Sequence, residues 1–213
     1  MFIPLRKRTA MRKGENTARL IVEAAEEEFL EKGYAQSKTT DIARKAGVTH
    51  AMLHYYFGTK EKLFNKVFES KVHMMSQSLL PIVDRDIPFA EKIKIAVETH
   101  FDFIAANPKL PRFILTEMEA SAERREICKK AFLPSFRLIA EKLAKAIELE
   151  VKAGHIAPIR PLDLIQDVVA LNLFPFVSRT MVKFMNDTLN GGEDFLARRK
   201  AENVEVILRR IQK

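Results

Sequence analysis

Apolar residues recur along this chain at spacings of three and four, and almost nowhere in strict alternation. That period belongs to helices packed on one face, whereas half-buried strands alternate in twos. Only 7 glycines occur, and no Asn-Gly or Asp-Gly pair offers a tight hairpin. The pattern therefore predicts an all-α fold. A first helix is expected from about Glu15 to Lys32, with Ile21, Ala24, Ala25 and Phe29 on its buried stripe and Gly33 as its stop. Two short helices follow, from Thr39 or Thr40 to Ala46 and from His50 to Phe57, separated by Gly47. Gly58-Thr59 then opens a longer helix carrying Leu63, Phe64, Val67 and Phe68, which Pro81 should end.

Longer segments fill the rest. Helices are predicted from Phe89 to Ala106, Pro111 to Ala120, Ala122 to Lys152 (bent or restarted at Pro134), Pro161 to about Asn190 and Glu193 to Ile211. Gly191-Gly192 separates the last two. Short helices first and long ones after imply three parts: an arm over residues 1–13, a small module over 14–58 and a larger bundle over 59–213.

Charge sharpens this picture. The chain carries 36 Lys and Arg against 28 Asp and Glu, a net charge of +8, which favours a polyanionic partner such as nucleic acid or an anionic membrane surface. Arg6, Lys7, Arg8, Arg12 and Lys13 stand in the arm with no acid among them, so it is expected to lack structure in isolation. It is either a solvated tail or a contact to phosphates or a minor groove. The apolar run from Val168 to Val177 is broken by Asn172 and Pro175 and is too short to span a bilayer. No apolar run of signal-peptide length opens the chain, so a cytoplasmic location is expected. Membrane attachment through the arm would have only Phe2, Ile3 and Leu5 as its apolar anchor, too few for stable binding.

Residues 39–58 have the layout of a helix-turn-helix. Ala43 must be small where the second helix crosses the first, and Gly47 must take a positive φ to turn the chain sharply. Ile42, Val48, Leu53 and Tyr56 fall where the two short helices meet their support. Thr49 or His50 can cap the second helix. His50, Ala51, Met52, His54 and Tyr55 are left facing outward, the face that would enter a major groove. By position, Thr39, Thr40 and Thr49 stand at helix starts beside the groove. Thr40, Tyr55 and Lys60 are expected to contact phosphates, and His50, Met52 and His54 to approach base edges.

The residues Ile21, Ala24-Ala25, Phe29, Gly33-Tyr34, Thr40, Ile42-Ala43, Ala46-Gly47-Val48, Leu53, Tyr56-Phe57, Lys60 and Leu63 together resemble the DNA-binding region of the TetR family of bacterial transcriptional regulators. The resemblance covers residues 21–63. It implies a ligand-responsive regulator, a homodimer on a near-palindromic operator, whose remaining helices hold a small-molecule effector and pair through the last two. A repressor released by a hydrophobic effector is the leading expectation, with an activator or an effector-independent regulator as alternatives. Four positions depart from the family pattern. Ala51 and Met52 replace Gly and Ser or Thr, His54 replaces an aromatic, and Glu28 replaces an apolar residue of the first helix. The base preference therefore does not carry over.

For the effector cavity that the resemblance implies, Met74, His100, Phe103, Phe113, Met118 and Phe136 are the candidate lining. For the dimer, the unusual apolar width of the Pro161 helix points to Val168, Val169 and Phe176, joined by Ile207 of the last helix. The helix from Thr59 to about Leu80 starts at the DNA-binding module and ends in the bundle, so it is the candidate for carrying a switch. No cofactor or metal is expected. His50 and His54 have the i, i+4 spacing of a metal pair but no third ligand near in sequence, and His73 and His155 are isolated. Cys128, beside Lys129 and Lys130, is either a redox sensor or a simple core residue. No Gly-x-Ser-x-Gly, His-Glu-x-x-His, phosphate-binding loop or Gly-x-Gly-x-x-Gly occurs, so an enzyme is not expected.

Overall fold

The computed structural model describes residues 5–188 and 194–213, with side chains from Gly14 onward. The described residues form helices and connecting turns, with no strand. They run in the order α1 (Leu5–Gln36), α2 (Thr39–Lys45), α3 (His50–Phe57), α4 (Lys60–Val83), α5 (Phe89–Ala106), α6 (Leu110–Ala120), α7 (Ala122–Lys152), α8 (Pro161–Val177), α9 (Arg179–Thr188) and α10 (Phe195–Ile211). Packing divides them into two units. One joins the chain up to Lys71 with Glu117–Cys128, and the other joins Val72–Thr116 with Lys129–Lys213.

The first unit is larger than the module expected over residues 14–58. Leu63, Phe64, Val67 and Phe68 of α4 are buried and close its core, with Phe64 edge-on to Phe29 at 5.4 Å and to Tyr34 at 5.1 Å. α1 and the two short helices α2 and α3 bury too little apolar surface by themselves, so α4 supplies the missing wall. α1 begins at Leu5, not at Glu15, so the backbone of residues 5–13, expected to lack structure, is helical. That stretch holds no proline, and its residue types are mostly good helix formers. The side chains of Arg6, Lys7, Arg8, Arg12 and Lys13 lie outside the described residues, as do residues 1–4. Gly33 has φ 73° and breaks the helical run of α1 where a stop was expected. The next amide, Tyr34 N–H, donates to the buried Glu117 carboxylate at 2.9 Å, and Arg124 pairs with that carboxylate at 2.9 Å while stacking over the Tyr34 ring. This clamp explains why Glu117–Cys128 belongs to the first unit.

Glu28, which departs from the apolar residue that the family resemblance implies, is fully buried in the first unit. Its carboxylate pairs with Lys32 at 2.6 Å and with Lys45 at 3.0 Å, tying the end of α2 to α1. Burial pushes its pKa up, but the hydrogen bonds to the two lysines outweigh that and hold it below the ordinary value.

The second unit has its core among α5, α7, α8 and α10, where Val97, Leu143, Ile147, Leu164, Val204 and Ile207 meet. α4 continues through Pro81 to Val83 and does not stop there. The helix expected from Pro161 to Asn190 is broken at Ser178 into α8 and α9, which bend by 77°. Pro175 lies one turn before the break and lacks the N–H that would bond the Leu171 carbonyl. Asn203 Nδ2 donates to that carbonyl instead, at 3.1 Å. Gly191-Gly192 and Glu193, expected to separate the last helices, lie outside the described residues. Among the described residues no single helix is long and apolar enough to cross a membrane.

Buried polar groups in this unit form a closed chain. Asn172 Nδ2 donates to the Val97 carbonyl at 2.9 Å and to His100 Nδ1 at 3.1 Å. Asn172 Oδ1 accepts from Asn203 Nδ2 at 2.9 Å, and Asn203 Oδ1 accepts from Arg199 Nε at 2.7 Å. Both amides are fully used, so α5, α8 and α10 are held in one register at little desolvation cost.

Candidate nucleic-acid interface

The turn between α2 and α3 forms for the reasons the sequence suggests. Gly47 has φ 67°, and Val48 N–H donates back to the Ala43 carbonyl at 3.0 Å, closing α2. Ala43, 2% exposed, is buried together with Ile42 and Leu53, so the short helices rest on α1. Thr49 caps α3 by accepting the Met52 N–H at 3.2 Å. Thr59 does the same for α4 with the Lys62 N–H at 3.1 Å.

The outward face of α3 is as expected in position. His50, Ala51, Met52, His54 and Tyr55 are exposed, and Tyr55 at 85% is nearly free of the protein. Thr40 and Thr49 are exposed beside them, and Thr39 is half-buried. Two side chains expected on this face are engaged within the protein. Lys60 is half-buried, with its ammonium 4.5 Å from the centre of the Tyr34 ring and Nζ 3.5 Å from the Ala35 carbonyl. Burial first, and then the nearby Arg124 cation, lower its pKa. A phosphate contact by Lys60 would therefore cost the stacking on Tyr34. His54 has both ring nitrogens in use, Nδ1 at 2.6 Å from the Gly58 carbonyl and Nε2 at 3.1 Å from His50 Nε2. His50 Nε2 in turn lies 2.9 Å from Thr39 Oγ1. The i, i+4 spacing brings the two histidines together, but only the folded turn brings Thr39 and the Gly58 carbonyl to them.

The six residues expected to line an effector cavity differ in unit and in burial. Met118 falls in the first unit and the other five in the second. Met74 and Phe136 are exposed at 51% and 40%, Phe113 is buried, Phe103 half-buried, and His100 is spent in the asparagine chain. Helical spacing identifies apolar stripes but not which of them leave a gap. A cavity of about 690 Å³ lies elsewhere, on α8, α9 and α10. Leu171, Phe174, Pro175, Val182, Met185 and Phe195 make it mainly apolar, and Arg198, Arg199 and Glu202 give it a charged edge. Its basic pair was visible in the sequence but had no period to mark it.

The expected dimer residues also divide. Phe176 is buried against Phe101 at 5.5 Å, and Ile207 is 1% exposed in the core, so both are corrected to interior positions. α8 is apolar on nearly every side, and periodicity cannot tell its inner face from its outer one. Val169 at 37% and Phe174 at 55% are exposed, and Val168 is half-buried. Cys128 is fully buried, and burial, followed by the nearby Glu117 carboxylate, pushes its thiol up to about 11. A redox-sensing thiolate is not formed there.

Residues 21–67 match the sequence pattern of bacterial regulatory proteins, tetR family. The chain is 28% identical over 110 residues to the fatty acid metabolism regulator protein of Bacillus subtilis, covering 52% of this chain and 56% of that one. It is 28% identical over 148 residues to the HTH-type transcriptional regulator RutR of Escherichia coli, covering 68% and 66%. The chain thus spans little more than half the length of the first of these relatives. Among solved structures it is similar to the regulator FadR of Bacillus subtilis in complex with stearoyl-CoA, with a TM-score of 0.68, 22% identity and coverage of 91% and 99%. It is also similar to the regulator SCO4942 of Streptomyces coelicolor, with a TM-score of 0.70, 21% identity and coverage of 92% and 98%. At that identity the two structures speak for the fold alone. Residues 21–67, which hold the helix-turn-helix, thus match the tetR family of bacterial regulatory proteins.

Proposed function

We propose that this protein is a homodimeric, DNA-binding transcriptional repressor that leaves a near-palindromic operator when a fatty-acyl effector binds. The exposed face of α3, capped by Thr49 and backed by buried Leu53, carries this reading. A helix of eight residues does not persist alone, so a stable one presented outward is a recognition element in waiting. Thr40 and Tyr55 would meet phosphates, and Met52 would reach thymine methyl groups in the major groove.

Dimerisation is assigned to the outer faces of α8 and α10. Leu162, Val169, Phe174, Leu196 and Val206 are each more than a third exposed there, an apolar surface that a second copy would cover. A two-fold pair of recognition helices then requires a near-palindrome. The apolar cavity with its Arg198 and Arg199 edge supports the effector class, because it suits a long hydrocarbon chain ending in an anionic group. The likeness to a regulator of fatty acid metabolism supports the same class. Relatives include a transcriptional activator, FasR of Mycolicibacterium smegmatis, which supports activation as the second reading.

In-vitro selection of random duplexes by the purified protein tests the DNA reading. An operator with two-fold symmetry is expected, and recovery of unenriched sequence would reject it. Adding stearoyl-CoA should then release the selected operator. Tighter binding with effector would favour the activator.

A further inference from the structure

We propose that His54 is a positioning residue that fixes which nitrogen of His50 carries a proton, and that His50 thereby selects, on the strand it reads, a base that presents an amino group to the major groove, adenine or cytosine. This rests on the DNA-binding reading above. The chemistry starts at Gly58. Its carbonyl oxygen lies 2.6 Å from His54 Nδ1, and a carbonyl only accepts, so His54 Nδ1 carries a proton. A neutral imidazole has one N–H, so His54 Nε2 is a lone pair. His50 Nε2, 3.1 Å away, must then supply the proton of that contact, and it shares this proton with Thr39 Oγ1 at 2.9 Å. The edge-to-face packing of the two rings, 4.4 Å between centres and 90° apart, suits this one-way contact. His50 Nδ1 is left without a proton, an acceptor.

Thr39 cannot set this pattern, because a hydroxyl donates as readily as it accepts. It would tolerate either tautomer of His50. Only His54, anchored by a group that cannot donate, gives the relay a direction. The consequence falls on the groove. Adenine N6 and cytosine N4 present donors there, which a bare nitrogen can take. Guanine O6 and N7 and thymine O4 are acceptors and would face it lone pair to lone pair. An unfixed histidine could present an N–H to guanine as well. His54 thus influences sequence choice without touching DNA, and Thr39, accepting from His50, keeps its own hydroxyl proton for a phosphate.

Two measurements test this on the full chain. The first uses ¹⁵N-edited imidazole spectra without DNA, on the neutral rings. The native protein should show His54 protonated on Nδ1 and His50 on Nε2, and His54→Phe should leave His50 in a mixture of both. The phenylalanine ring is an exposed substitution of similar shape, and the spectra themselves report whether it folds. The second is in-vitro selection with native protein, His54→Phe and His50→Ala. On one strand of each half-site the native protein should prefer adenine or cytosine over guanine or thymine at one position by about 10-fold, in the range of a single good base contact. Both variants should lose that preference and keep the others. A native His50 protonated on Nδ1 would overturn the proposal, as would a His54→Phe variant with unchanged base preferences. If the native protein selects no operator at all, the DNA reading falls and the base preference with it.

Discussion

Lowering the pH should unlock the second unit at one residue. His100 is 8% exposed on α5. Burial lowers its pKa from 6.5 to about 4. Geometry works the same way: Asn172 Nδ2 is a donor fixed by the Val97 carbonyl, so His100 Nδ1 must accept, and a proton there would set donor against donor. The unfolded chain therefore takes up this proton first. The stability that the neutral ring contributes is complete above 6.5 and is lost as the pH falls toward 4. Between pH 7 and pH 5 the loss from His100 is about 2 kcal/mol, at about 1.4 kcal/mol per unit of pKa difference. That is a large share of an ordinary folding free energy of roughly 5–15 kcal/mol. Urea unfolding followed by far-ultraviolet circular dichroism at pH 7, 6 and 5 measures it, and His100→Gln supplies the reference. The glutamine carbonyl can still accept from Asn172 but does not titrate, and exposed histidines such as His155 contribute equally to both proteins. The native curve should fall about 2 kcal/mol further than that of the variant. Parallel curves would refute the buried, neutral assignment of His100.

Three further outcomes are expected. Glu28→Gln should destabilise the protein by about 1–2 kcal/mol, less than a fully buried pair because Lys32 and Lys45 can turn to water, and Glu28→Leu should cost less than Glu28→Gln. Chemical denaturation of both variants checks the order, and the reverse order would mean that the ion pairs are net stabilising. Phe174→Glu should give monomers by sedimentation velocity with an unchanged helical signal, whereas Phe176→Glu should unfold the second unit by burying an unpaired charge. A dimeric Phe174→Glu would remove α8 from the interface. Cys128 should react with a thiol reagent only at the rate of unfolding, and fast modification of the native chain would contradict its burial.

What the sequence determined by itself is what short-range spacing encodes. The period of three and four made every described element a helix, and Gly33, Gly47 and Gly58, each with positive φ, mark turns because only the absence of a Cβ makes that backbone cheap. The outward face of α3 was legible for the same reason, since its inward residue, Leu53, is named by the helical period. The tertiary structure decided whatever depended on a partner distant in the chain. Glu28 looks misplaced until Lys45, from the next helix, meets its carboxylate. Spacing places His54 on the outward face of α3, but only the fold of the turn brings the Gly58 carbonyl to one of its nitrogens while His50 holds the other. Phe174 and Phe176 are equal as residues on an apolar helix, and Phe101, some seventy positions earlier, makes one of them core and leaves the other exposed. Helical periodicity records which residues share a face, but not what that face meets. Only the packed chain supplies the neighbour whose charge, carbonyl or ring decides the role of a side chain.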